Sequence, residues 1–93
     1  MFFTLLLLAC SEKDAEPLDT AALAAGADLY SIHCAACHSP DGTGGTGPDI
    51  TSEVDEEDEE LIEMILEGED DMPAANVTPE EAQLIVDWMR TAF

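Results

Sequence analysis

The chain has 93 residues, enough for one small domain. Its 22 acidic residues stand against two basic ones, Lys13 and Arg90, giving a formal charge of −20. Phosphate binding draws on Lys and Arg, so this balance argues against nucleic acid as a partner.

The chain opens on MFFTLLLLAC, uncharged and almost wholly apolar. A membrane-spanning helix needs about 20 apolar residues. This run is far shorter and reads as the apolar part of an export signal. Leu7-Leu8-Ala9-Cys10 resembles a bacterial lipobox, in which the peptide is cut before a cysteine that then carries lipid. On that resemblance residues 1–9 are a signal peptide and Cys10 is the lipidated residue. The alternative is an ordinary export signal in which Cys10 is one more small apolar residue. The next stretch, SEKDAEPLDT, is acidic and contains Pro17, a composition suited to a solvated tether over residues 10–19. The folded domain is then residues 20–93. A domain of that size buries only about 60% of the surface its unfolded chain exposes, and is marginal without a disulfide, metal or cofactor.

Asp19 or Thr20 can cap a first helix that starts at Ala21 and runs toward the cysteines. Leu23, Ala27 and Tyr30 recur at three-to-four spacing and define its face. Gly26 lies inside it, and a glycine kept there lets another backbone or a ring approach closely. Between Ser39 and Thr51 the glycines and prolines forbid regular structure. A second helix is expected at about Asp58 to Glu67, with Leu61, Ile62, Ile65 and Leu66 inward, acids in its first turn and Gly68 at its end. For the third, TPEE at 78–81 supplies Thr78 as cap, Pro79 at the first helical position and Glu81 as capping-box partner. Behind it Ala82, Ile85, Val86 and Met89 form one stripe, flanked by Leu84 and Trp88. No convincing strand is present, so the fold class is all-α.

The chemistry lies in CAACHSPDGTGGTGPDI at 34–50. As a redox disulfide couple, Cys34 and Cys37 would need a βαβ setting, which is missing. As a zinc site they would need a second ligand pair, and no further Cys or His cluster follows. The third reading is haem attachment, the C-x-x-C-H pattern. Each thiol adds to a vinyl group of one porphyrin. His38 lies four residues after Cys34, on the same helical face, so its imidazole can meet the iron. Export and the need for a staple both favour this reading.

With these residues in view, the sequence resembles a small bacterial class I cytochrome c over residues 20–93. GADLYSIHCAACH resembles that family's first helix, with Gly26 and Tyr30 meeting the last helix at Ile85 and Trp88. GTGPDI resembles the loop whose proline, here Pro48, offers its carbonyl to the proximal histidine. LIEMILEGEDDMP resembles the stretch before the second axial ligand, which would be Met72. The resemblance implies three main helices and loops wrapped around one covalent haem c. Cys34 and Cys37 would hold it and His38 and Met72 would be its axial ligands. The family's familiar ring of lysines around the haem edge is absent.

Each residue also has a plainer reading. Met72 could be an exposed loop methionine, but its place before Pro73 and its distance from His38 favour ligation. Met64 and Met89 sit at core spacing, His33 is expected at the surface, and Tyr30 and Trp88 are expected as interhelix packing. The acidic run EVDEEDEE is by default a solvated face. It would also steer the protein to redox partners with basic docking surfaces, and the same composition suits high-salt adaptation. The expected function is one-electron transfer on the periplasmic side of a bacterial membrane, tethered through Cys10, with no enzymatic activity and no small-molecule substrate. The alternative is a haem-based sensor or gas-binding module with an open sixth position.

Overall fold

A computed structural model of the chain describes residues 20–93. The expected signal peptide (1–9), the lipid site at Cys10 and the tether (10–19) lie outside the described residues. Four helices follow one another: α1 (Thr20–His33), α2 (Ala35–His38), α3 (Asp58–Glu67) and α4 (Pro79–Ala92), with a short 3₁₀ turn at Glu53–Asp55. Among the described residues extended pairing is limited to one bridge between Glu69 and Met72. The fold is all-α, as expected.

Local chemistry sets the helix ends. The Thr78 hydroxyl accepts the Glu81 N–H at 3.1 Å and the Glu81 carboxylate accepts the Thr78 N–H at 2.9 Å. Two donors with no partner inside the helix are thus satisfied, and Pro79 starts it without an N–H to satisfy. Helix α3 has Asp58, Glu59 and Glu60 in its first turn and stops at Gly68, whose φ of 80° a side chain would resist. The expected first helix is divided. Cys34 leaves helical geometry at φ −123°, separating α1 from α2, which is why three main helices become four. The ladder still crosses the step through Cys34 N–H to Tyr30 O (2.8 Å) and His38 N–H to Cys34 O (3.1 Å).

Helix α1 crosses α4 almost backbone to backbone. A Cβ at Gly26 would lie 2.8 Å from Cβ of Trp88 and closer still to the Leu84 carbonyl. That contact sets the rotation of α1. Gly26 and Tyr30 are buried, the line continues through Cys34 and His38, and the expected face members Leu23 and Ala27 are only half-buried. One turn beyond the crossing, the Tyr30 ring lies 4.9 Å from Trp88 and 5.6 Å from Phe93. On the other side of α4, Leu61 and Ile65 of α3 meet Ala82, Ile85, Val86 and Met89. Ile85 and Val86 are fully buried, each contributing about 1.5–3 kcal/mol. Arg90 ties the acidic stretch to α4. Its guanidinium donates to the carbonyls of Val54 (3.0 Å) and Glu56 (2.5 Å) and pairs with the Asp58 carboxylate.

Candidate functional site

Between the two halves of the fold lies a cavity of about 420 Å³, within the 300–1,000 Å³ range of cofactor and ligand pockets. One wall carries Cys34, His38, Pro48 and Ile50. Leu61, Met64, Ile65, Ile85 and Met89 form its floor, and Glu69, Asp70, Asp71 and Met72 a lip. The lining is mostly apolar and includes His38 together with three methionines, Met64, Met72 and Met89.

His38 is held from behind. Its Nδ1–H donates to the Pro48 carbonyl at 2.9 Å, which fixes the tautomer because a carbonyl can only accept. Nε2 is therefore the nitrogen left to bind a metal. Gly47 makes this geometry possible, since a Cβ there would lie 2.9 Å from Cε1 and 3.1 Å from Nδ1 of His38. The loop is closed by Gly44 N–H to His38 O (2.9 Å) and Gly47 N–H to Cys37 O (2.8 Å). At the rim Asp49 accepts both the N–H and the hydroxyl of Thr51. Those bonds hold its carboxyl below the ordinary range, so it stays ionised near neutral pH.

The two cysteines are not bonded to each other and are differently placed. Cys34 is buried in the cavity wall, and burial, followed by the neighbouring Cys37, pushes its thiol up to about 11. Cys37 is exposed and does not line the cavity, whereas the sequence pattern has both thiols serving one ring. No three His, Cys, Asp or Glu side chains among the described residues are placed to share a metal ion, so nothing here favours the zinc reading.

Met72 is presented by a tight turn. Glu69 N–H donates to Met72 O (3.0 Å) and Met72 N–H to Glu69 O (2.7 Å), while Ala75 N–H reaches back to Ile65 O (2.8 Å). Asp70 within the turn has φ 51°, a setting that aspartate tolerates better than most residues. Met64 and Met89, read from sequence as core packing, also face the cavity. Met89 is buried and Met64 half-buried.

The family profile for cytochrome c oxidase, cbb3-type, subunit III matches residues 21–89. The chain belongs to the cytochrome c family. It is similar to cytochrome c-551 of Bacillus subtilis (strain 168), 35% identical over an alignment covering 92% of this chain and 84% of the relative. It is also similar in structure to cytochrome CL from the marine methylotrophic bacterium Methylophaga aminisulfidivorans, with a TM-score of 0.70 and 26% identity. That match covers 83% of this chain, which spans 57% of the longer protein.

As a small class I cytochrome c, the protein carries covalent haem c and serves in electron transfer. The cavity fits such a group: a largely apolar slot, a buried imidazole with one nitrogen free, methionines in the lining, and one C-x-x-C-H run at its edge. Of the site residues named from the sequence, Cys34, His38, Pro48 and Met72 line one cavity and Cys37 does not. Sequence reasoning missed Gly47, Ser39 and the hydroxyl of Tyr30. Only the density of glycines after His38 hinted at the first, and nothing local signalled the other two. His33 is exposed, as expected of a residue directed away from the site.

Proposed function

We propose that this cytochrome is a one-electron carrier with no enzymatic activity of its own. Cys34 and Cys37 would hold the haem through thioether bonds, and His38 and Met72 would be the ligands to its iron. The haem supplies a ferrous/ferric couple. The protein residues orient, shield and tune it. Pro48, through its carbonyl, makes the His38 imidazole a stronger donor. The Met72 thioether raises the potential relative to two nitrogen ligands. The carboxylates crowding residues 53–71 favour the ferric form and offset part of that rise. The observation that carries this reading is a single one: His38, with Nδ1 bonded to Pro48, and Met72 line the same mostly apolar cavity.

Asp49, Glu53, Glu69, Asp70 and Asp71 stand around that cavity. They give the mouth a strongly negative rim that suits partners with basic docking surfaces. Transfer to such a partner should slow markedly from low to moderate salt, and a flat rate would point instead to salt adaptation.

Export to the periplasmic side, with residues 1–9 removed and Cys10 lipidated, completes the proposal. The alignment with cytochrome c-551 supports a shared N-terminal region, because 92% coverage extends beyond residues 20–93. Cys10→Ala should release the protein from membranes without changing its spectrum.

Absorption spectra of exported, haem-loaded protein test the ligand set. The expected result is haem that survives denaturing extraction, plus the weak red band of sulfur-ligated ferric iron. Met72→Ala should abolish that band and lower the potential. An unchanged spectrum in Met72→Ala removes Met72 from the iron.

A further inference from the structure

The residue after His38 holds a backbone conformation that does not suit its side chain. Ser39 sits at φ 74°, ψ 156°, a region that is essentially glycine's own and costs any residue with a Cβ. Such a setting persists only where the surroundings over-determine it. Four hydrogen bonds do so here. The Ser39 N–H donates to Ala35 O at 2.8 Å and its hydroxyl donates to Gly44 O at 2.5 Å. Its carbonyl accepts the Gly42 N–H at 3.0 Å and the Tyr30 hydroxyl at 2.7 Å.

The last of these differs from the others in reach. The first three join residues within five positions of Ser39 and would move with the loop. Tyr30 belongs to α1, is 1% exposed, and is wedged against Trp88 and Phe93 where α1 meets α4. It ties the loop to the close crossing of α1 and α4. Burial also pushes its hydroxyl up to about 12, so it remains a protonated donor at neutral pH.

We infer that Tyr30 is a positioning residue for His38: its hydroxyl pins the Ser39 carbonyl, holds the following loop in its strained setting and so delivers the Pro48 carbonyl to the imidazole. The inference rests on His38 being the axial ligand. The connection runs through the backbone. Ser39 sets the direction in which the loop departs, Gly44 and Gly47 bond back to the carbonyls of His38 and Cys37, and Pro48 arrives at Nδ1. Without the pin, Ser39 relaxes and the Pro48 bond weakens. A weaker bond leaves the imidazole a poorer donor, so the ferric form is less favoured and the potential rises.

Haem-loaded, exported full-length protein carrying Tyr30→Phe, Ser39→Gly or both tests this. Tyr30→Phe keeps the ring contacts and removes only the hydroxyl. It should raise the midpoint potential and speed amide exchange at Gly42 and Gly44. The double variant should return the potential to the wild-type value, because glycine adopts φ 74° without a pin. A tyrosine with only a packing role would leave both potential and loop exchange unchanged in Tyr30→Phe, and a hydroxyl that only adds stability would lower stability with no change in potential and no rescue; either result overturns the inference. Should Tyr30→Phe fail to fold, Ser39→Gly against Ser39→Ala decides. Both lack the hydroxyl bond to Gly44, so relief of strain predicts a folding equilibrium about tenfold more favourable for the glycine, and equal stabilities overturn the strained joint. A spectrum indifferent to His38→Ala would overturn the ligand assignment and this inference together. A sensitive spectrum with an unmoved Tyr30→Phe potential overturns the inference alone.

Discussion

The His38 wall and the Met72 lip of the cavity are built from different materials. Behind His38, residues 38–50 are knitted by main-chain hydrogen bonds and pinned to a buried tyrosine, and the histidine itself is 7% exposed. Around Met72, residues 68–75 hang from the end of α3 by one reciprocal turn and one return bond, and Glu69, Asp70 and Asp71 are all exposed. The first wall gains its order from contacts with the core. The second has few buried contacts and a high density of like charge. Local opening is drawn from segments of the second kind, so exchange or loss of an axial ligand should occur on the methionine side, with His38 staying in place.

The largest expected effects come from the two glycines that serve these walls. Gly47→Ala puts a methyl group 2.9 Å from the His38 ring. Denaturant unfolding should show a loss of about 2 kcal/mol, typical of overpacking, together with an altered potential. Gly68→Ala meets Ala74 N at 2.8 Å and must adopt φ 80°. It should weaken the sulfur–iron band while leaving the potential-setting histidine bond intact. If Gly47→Ala moves only the sulfur band, or Gly68→Ala only the histidine side, the two walls are coupled and the contrast between them fails.

A smaller effect is expected at Arg90, which anchors the acidic side to α4. Arg90→Gln should cost about 1 kcal/mol, since the pair with Asp58 is substantially exposed. The loss should shrink as salt rises. Unchanged stability at low salt would show that the carbonyl bonds to Val54 and Glu56 carry nothing.

The smallest effect is in the acid limb. Hydrogen bonds from Arg90 and then Gln83 hold the Asp58 carboxyl below its ordinary 3.8. Its stabilisation is present above that value and disappears as pH falls through the lower, folded one. Glu60 runs the other way. Its hydrogen bond and repulsion with Glu56 raise its carboxyl above 4.5, so protonation relieves strain as pH falls toward that value. Stability measured downward from neutral should therefore rise slightly before it drops. In Arg90→Gln the drop should begin at higher pH. A monotonic fall from neutral pH in the wild type would contradict the assignment to Glu60.

What the sequence discloses of this architecture follows the range of each interaction. The capping box at Thr78 and Glu81, the stop at Gly68 and the stripe on α4 depend on residues three to seven apart, and each is found where its local pattern puts it. The C-x-x-C-H run and the Pro48 carbonyl are legible because they too lie within a few residues of one another or carry a family pattern. The division of the first helix at Cys34 is not, since nothing in IHCAACH opposes a continuous helix. The periodic face of Leu23, Ala27 and Tyr30 gives its buried line only in part: close approach at Gly26 to a segment about 60 residues away, which the glycine itself signals, decides which way α1 faces. The grip of Arg90 on Val54 and Glu56 spans more than 30 residues and uses main-chain acceptors that no side-chain pattern marks.

The partner of His38 is a main-chain carbonyl, and this bears on which mutations the site tolerates. Every amino acid at position 48 brings the same acceptor, so no single substitution can delete it chemically. A substitution there acts only through the path of the chain, which the fixed φ of proline and the missing side chain at Gly47 set. Met72 enjoys no such insurance. Its sulfur is encoded by one codon's worth of side chain, and a single change removes it. Drift can therefore alter the methionine side of this cytochrome in one step, whereas the histidine's support yields only to changes that reroute the backbone.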